Sequence, residues 1–207
     1  MKITSIQFYG AARQKVCRLG LSDIFLELQE LLLATRVEIL PEKQANSAGV
    51  VREMIDSSFL RANSAVVSED DRWKKNVSGD IDWVKRLRYN CTLVAKIGVE
   101  IQVSGRSDLL ARDIVHIRNS LQDSSIDVGV IVVPSDGFEF FLTDRAANLS
   151  YAKRYVEEEL REAKDYPIIL IAVEHDGESA TALPKKLTNR GKAEKMTAKK
   201  DIARKRT

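Results

Sequence analysis

The chain has 207 residues, 44% of them hydrophobic and 30% charged, which suits one globular domain with a core of its own and excludes collagen-like or wholly disordered classes. No apolar run approaches the roughly 18 residues that cross a bilayer, and the start Met1-Lys2-Ile3-Thr4 lacks the apolar core and cleavage site of a secretion signal, so a cytoplasmic protein is expected. The net charge of +3 is uneven: from Lys185 to Thr207 ten Lys or Arg meet only Glu194 and Asp201, a net of +8 that leaves residues 1–184 at −5.

The expected organisation is therefore one domain over residues 1–184 and a basic C-terminal arm over 185–207. Two readings of the arm stay open, a segment that neutralises nucleic-acid phosphates with release of counterions, or a disordered solubilising tail. Cys17 and Cys91 are far apart, with no CxxC and no clustered histidines, so neither a zinc site nor a disulfide framework is indicated and buried thiols are expected.

Ile3 to Tyr9 reads as a first strand, and Ser22 to Thr35 as an amphipathic helix with Ile24, Leu28, Leu31 and Leu32 on one stripe and Ser22 as its N-cap. Pro41 ends the apolar stretch Val37 to Leu40, and a second helix from Gly49 to about Arg61 turns Val51, Met54, Ile55 and Phe59 inward. Asn63 to Ser78 is polar and irregular apart from Trp73. The alternation in Asp80 to Val84 predicts a strand, with Lys85 to Cys91 connecting it to another from Leu93 to Val103. A helix over Asp108 to Gln122 carries the stripe Leu110, Ile114, Ile117 and Leu121, and the strand Asp127 to Val133 is stopped by Pro134. A charged helix, Tyr151 to Lys164, leads to the strand Tyr166 to Glu174 and the turn His175-Asp176-Gly177. Val128 to Val133 and Ile168 to Val173 are apolar on both faces, as in the interior of a covered sheet. The fold class predicted is α/β, a mixed central sheet flanked by helices, without internal repeats.

Chemistry concentrates at Asp82 and Glu100-Ile101-Gln102. Side chains alternate along a strand, so Glu100 and Gln102 share a face while Val99, Ile101 and Val103 turn to the other. With Asp82 brought alongside by a hairpin, this face offers the hard oxygen ligands that Mg²⁺ prefers. Glu-x-Gln alone is a weak signal, equally compatible with a solvated strand face. Asp80 shares a strand face with Asp82 and competes with it as a ligand.

Several separate segments, in order, carry a resemblance. Trp73-Lys74-Lys75-Asn76, Asp80-Ile81-Asp82, Val99-Glu100-Ile101-Gln102, Ile126-Asp127-Val128-Gly129-Val130 and Phe141-Leu142-Thr143-Asp144-Arg145, with Asn148 beyond, span Arg72 to Glu174. They resemble the BglII/BstYI/BamHI group of type II restriction endonucleases, within the PD-(D/E)xK nuclease fold, including a subgroup with glutamine where most such nucleases carry lysine. The resemblance implies Mg²⁺-dependent hydrolysis of double-stranded DNA at a short palindrome with a GATC core by a homodimer, and a cognate methyltransferase acting on the same site. Two alternatives stay open, a nicking or repair nuclease of the same fold and a sequence-specific DNA-binding protein that does not cleave, the second because Gln102 stands where the usual lysine is absent. The resemblance favours Asp82 over Asp80. It implies Asp82, Glu100 and the carbonyl of Ile101 as metal ligands, with Gln102 and Asn76 as auxiliary catalytic groups, Asn76 having a loop-capping role as its alternative. Glutamine carries no charge and accepts no proton near neutral pH, so the general base is left open, water on the metal being preferred as nucleophile. Arg106, Ser107, Arg112, Asp144 and Arg145 are the DNA-binding residues implied, Arg145 suiting guanine and Asp144 the cytosine amino group; taken without the resemblance, Asp144-Arg145 reads as a surface ion pair. Arg112 has a solvated helix face as its alternative. His116 either approaches the scissile phosphate or serves packing, and His175 reads as a turn residue. The stripe on the helix from Asp108 lines either a dimer interface or the chain's own sheet.

Overall fold

A computed structural model describes residues 1–75, 81–105, 107–143, 145–160 and 162–184, Ser107 by its backbone only. In chain order the elements are β1 (Lys2–Phe8), α1 (Ala12–Arg18), α2 (Ser22–Ala34), β2 (Glu38–Ile39), α3 (Ala48–Ala65), β3 (Lys74–Lys75), β4 (Trp83–Tyr89) and β5 (Thr92–Ile101). They continue with α4 (Ser107–Gln122), β6 (Val128–Pro134), α5 (Asp136–Phe141), α6 (Leu149–Arg154), β7 (Ile168–Glu174) and β8 (Gly177–Glu178). Six strands form one mixed sheet in the order β1-β7-β6-β5-β4-β3, and β2 pairs with β8 in a separate parallel ribbon. The centre β7-β6-β5 is parallel and the flanks are antiparallel. This is the α/β architecture with a covered mixed sheet that the apolar strands predict.

Each sheet face buries its own layer. One cluster joins Val99, Ile101, Val130 and Val132 to Leu28 and Leu32 of α2 and to Val51, Ile55 and Phe59 of α3. The other packs Leu110, Ile114 and Ile117 of α4 and Ala152 of α6 against Ile131, Val133 and Leu170. The α4 stripe thus packs on the chain's own sheet, with Leu121 at its edge, which decides between the two readings of that helix. At Gly129 the helix lies so close that a Cβ would stand 2.4 Å from Cγ2 of Ile117, far inside van der Waals contact. That approach brings α4 down beside β5. Among the described residues no helix is long and apolar enough to cross a membrane.

Several sequence expectations are corrected. The strand expected at Asp80 to Val84 starts at Trp83 and runs to Tyr89, so most of the expected connector is β4 itself. Its inward face is hidden in the sequence by Lys85, whose stem is buried and whose ammonium meets Glu27 Oε2 of α2 at 2.5 Å. Because Glu27 stays 32% exposed, losing one partner costs less than the roughly 3–5 kcal/mol of a fully buried pair. The hairpin turns instead at Asn90 and Cys91, both at positive φ, with Tyr89 opposite Thr92. Cys17 and Cys91 are exposed free thiols rather than buried ones, Cys91 because it occupies that turn. Ser22 is the first residue of α2, not its cap, which is Leu21. The charged helix expected to Lys164 is α6 only to Arg154, followed by a π-helical turn over Tyr155–Glu159 and a 3₁₀ turn over Ala163–Asp165. Helices α1 and α5 had no clear signature in the sequence.

Candidate active site

Asp82 stands immediately before β4, where Trp83 pairs with Val99 across the antiparallel ladder. This register sets Asp82 beside Glu100, and its Oδ2 accepts the Ile101 backbone N–H at 2.9 Å. Trp83 fixes the approach: its ring stacks on Phe59 at 4.7 Å and its indole N–H donates to Asp56 Oδ1 of α3 at 2.8 Å. Gln102 continues the parallel pairing beyond β5 by donating its backbone N–H to the Val132 carbonyl at 2.8 Å. Glu100 and Gln102 therefore share a face, as the alternation predicts, while Val99, Ile101 and Val103 lie in the main core.

Asp82, Glu100 and Gln102 line one cavity of about 410 Å³ with Arg52, Arg112, Asp113 and His116. Glu100 and Gln102 are almost fully buried at its base. The Asp82 and Glu100 carboxyls are hydrogen-bonded to each other. Burial, the bond to Asp82, and the negative charge of Asp82 and Asp113 push Glu100 up to about 10, against an opposing pull from Arg52. Burial also raises Asp82, but the Glu100 hydrogen bond, Arg52 and the Ile101 N–H outweigh it and hold this carboxyl below the usual range. The pair thus holds one proton between them near neutral pH, with Glu100 the more basic of the two.

Arg52 and Asp113 are the residues that the sequence did not single out. Arg52 projects from α3 and places Nη2 2.6 Å from Asp82 Oδ1, while Nη1 donates to the Ile101 carbonyl at 2.5 Å. Its spacing of four from Asp56 on a predicted helix was the available signal. Asp113, 5% exposed, is held up by burial in spite of neighbouring Arg112. It lies three residues from Leu110 on α4, which assigns it to the inward stripe.

The oxygen set matches a hard cation in kind. Asp82 and Ile101 already give oxygens to a guanidinium, and the Gln102 Nε2, buried in the same cavity, has no hydrogen-bond partner among the described residues. Among the described residues no three His, Cys, Asp or Glu side chains converge closely enough to enclose a metal. The set is two carboxylates and one carbonyl, which suits Mg²⁺ because that ion keeps several waters.

Of the expected DNA contacts, Arg112 is exposed at the cavity rim, with Nη2 3.4 Å from Asp113 Oδ1. His116 lines the same cavity. Arg145 is exposed at φ 51°, in the segment that follows α5. The chain leading to it is anchored at Asn46, which is fully buried. Its side chain bonds both backbone groups of Leu40, the Phe141 carbonyl and the Leu183 N–H. Thr143 donates its N–H to the Asn46 carbonyl and accepts from Ala48. Asn148 caps α6, accepting the Tyr151 N–H at 2.9 Å. His175 sits in the expected turn, against Phe138 and Phe141. Asn76, Asp80, Arg106, Asp144, the Ser107 side chain and the basic arm lie outside the described residues.

No curated protein matches the chain. The family model described as "Restriction endonuclease BamHI" matches residues 26–191, most of the sequence, including both carboxylates, the glutamine and Arg145. This chain belongs to the BamHI family of restriction endonucleases, nucleases that act on double-stranded DNA.

Proposed function

We propose that this restriction endonuclease is Mg²⁺-dependent and acts as a homodimer that cuts both strands at a short palindrome built on GATC. The reading rests on one observation above all: Asp82 and Glu100 meet side by side, next to the Ile101 carbonyl, in a cavity with two arginines at hand. Asp82, Glu100 and the Ile101 carbonyl are the groups to hold the ion. When bound, Mg²⁺ lowers the pKa of a coordinated water and offsets the charge that develops on the phosphate.

The protein's own groups do the rest. Ile101 fixes the Asp82 carboxylate through its N–H, so the ligand does not reorganise during reaction. Gln102 directs its amide, whose Nε2 has no partner among the described residues, at the attacking water or the phosphate, orienting without exchanging a proton. Arg112 at the rim binds the DNA backbone. Arg145, together with Asp144, Arg106 and Ser107, reads base edges, and Asn76 serves the metal surroundings. A twofold dimer presents each half-site with the same surface, which couples a palindrome to a double-strand cut. A methyltransferase acting on the same sequence protects the host DNA and need not touch the nuclease.

Digestion of a sequenced plasmid with the purified protein and Mg²⁺, with end mapping, tests this reading beside Asp82→Ala and Glu100→Ala. Discrete ends at one palindrome, absent from both variants and in EDTA, are expected. Full cleavage by either variant would overturn the site assignment.

A further inference from the structure

The guanidinium of Arg52 stands on two of the oxygens to which the proposed function assigns the metal. Its Nη2 is 2.6 Å from Asp82 Oδ1 and its Nη1 bonds the Ile101 carbonyl. A planar fork is suited to bridging two oxygens at once, which a lysine ammonium on one stem does less well. The third nitrogen is less settled: among the described residues Nε is buried without a hydrogen bond, although Asp56 Oδ1 lies 3.4 Å away. Asp56 is held in place by the Trp83 indole N–H at 2.8 Å and Lys75 Nζ at 3.2 Å. One arginine thus has a primary seat on Asp82 and Ile101 and an acidic neighbour on its own helix beside which it is under-bonded.

We infer that Arg52 is a positioning residue that competes with the metal, holding Asp82 and the Ile101 carbonyl in the metal-free protein and yielding both oxygens when a divalent cation enters. The inference rests on the metal reading above. Arg52 supplies the positive charge that lets an acid and a carbonyl be packed together without a metal. Asp56 is the partner that keeps the released guanidinium inside the site. The competition weakens metal binding in the absence of DNA.

Direct Mn²⁺ binding to the DNA-free protein, followed by the electron paramagnetic resonance signal of free Mn²⁺, tests this without reading activity. Arg52→Met is expected to bind Mn²⁺ about tenfold or more tightly than the native protein, an effect of about 1.4 kcal/mol. Arg52→Lys, which keeps the charge and loses the fork, is expected to fall between them. Native-like circular dichroism with Mn²⁺ binding no tighter than native in Arg52→Met overturns the inference. If Arg52→Met does not fold, Arg52→Lys decides: tighter binding supports the competition, and equal or weaker binding overturns it. Glu100→Gln separates the two levels. Weaker Mn²⁺ binding in that variant upholds the site, whereas unchanged binding removes the metal reading and the inference with it.

Discussion

Replacing Glu100 by Gln is expected to abolish cleavage and at the same time stabilise the metal-free protein, increasingly so as pH rises. In the folded protein this carboxyl is pushed from its ordinary 4.5 up to about 10, chiefly by burial and then by Asp82, so it keeps its proton at neutral pH. The unfolded chain has released that proton. Between the two values the folded state binds one proton more than the unfolded state, and stability falls as pH rises across the window. With one unit equal to about 1.4 kcal/mol, the interval from 4.5 to neutral pH sets a ceiling of about 3.5 kcal/mol at pH 7. A glutamine amide is neutral in both states and still has a donor for Asp82, so it escapes this dependence. Asp82 works in the opposite sense: its lowered value adds stability above its ordinary 3.8, lost as acid takes the pH below that, outside the range of interest. Urea unfolding by circular dichroism in EDTA at pH 6, 7 and 8 measures the difference. The stability gap between Glu100→Gln and the native protein should widen by up to about 1.4 kcal/mol per pH unit. Parallel pH profiles would refute the shared proton on which the reasoning depends.

Three further substitutions probe the scaffold and the reading surface. Asn46→Ala removes the partner of four part-buried backbone groups and is expected to destabilise by about 2–4 kcal/mol, seen in the urea midpoint. Gly129→Ala drives a methyl into Ile117 and should cost about 1–3 kcal/mol by thermal melting, with α4 and its cavity residues displaced. Arg145→Ala, at an exposed position, should leave the melting temperature within about 1 °C while weakening binding to the cognate site by about 10- to 100-fold in a mobility shift. An unchanged affinity there would remove Arg145 from base recognition.

The parts of the fold legible in the sequence were those whose periodicity reflects burial alone. The doubly apolar runs of β6 and β7, the α4 stripe and the alternation of β5 all appear where expected, because each is set by contact with the core. β4 was misplaced because its inward face carries Lys85, and only the distant Glu27 explains a buried ammonium there. α1 is seven residues long, entered through Gly10 and Ala11 at positive φ and without a side-chain cap, so it offers neither length nor a start signal. The face shared by Glu100 and Gln102 was readable from strand geometry, whereas Arg52 was not. Its partners Asp82 and Ile101 lie on other elements, and their proximity is a product of packing rather than of spacing.

The charge arrangement gives the glutamine at position 102 a physical context. Asp82, Glu100 and Asp113 bring three acids to one cavity, and a lysine on β5 would be the nearest way to balance them. Here the balance comes from opposite sides of the sheet: Arg52 from α3 seats on Asp82, and Arg112 from α4 stands beside Asp113. With Glu100 retaining a proton, a neutral amide at 102 leaves the cavity close to charge balance, whereas a lysine beside Arg52 would add a second desolvated cation. A neutral amide therefore fits position 102, with the cationic side chains of the cavity supplied by helices on either side of the sheet.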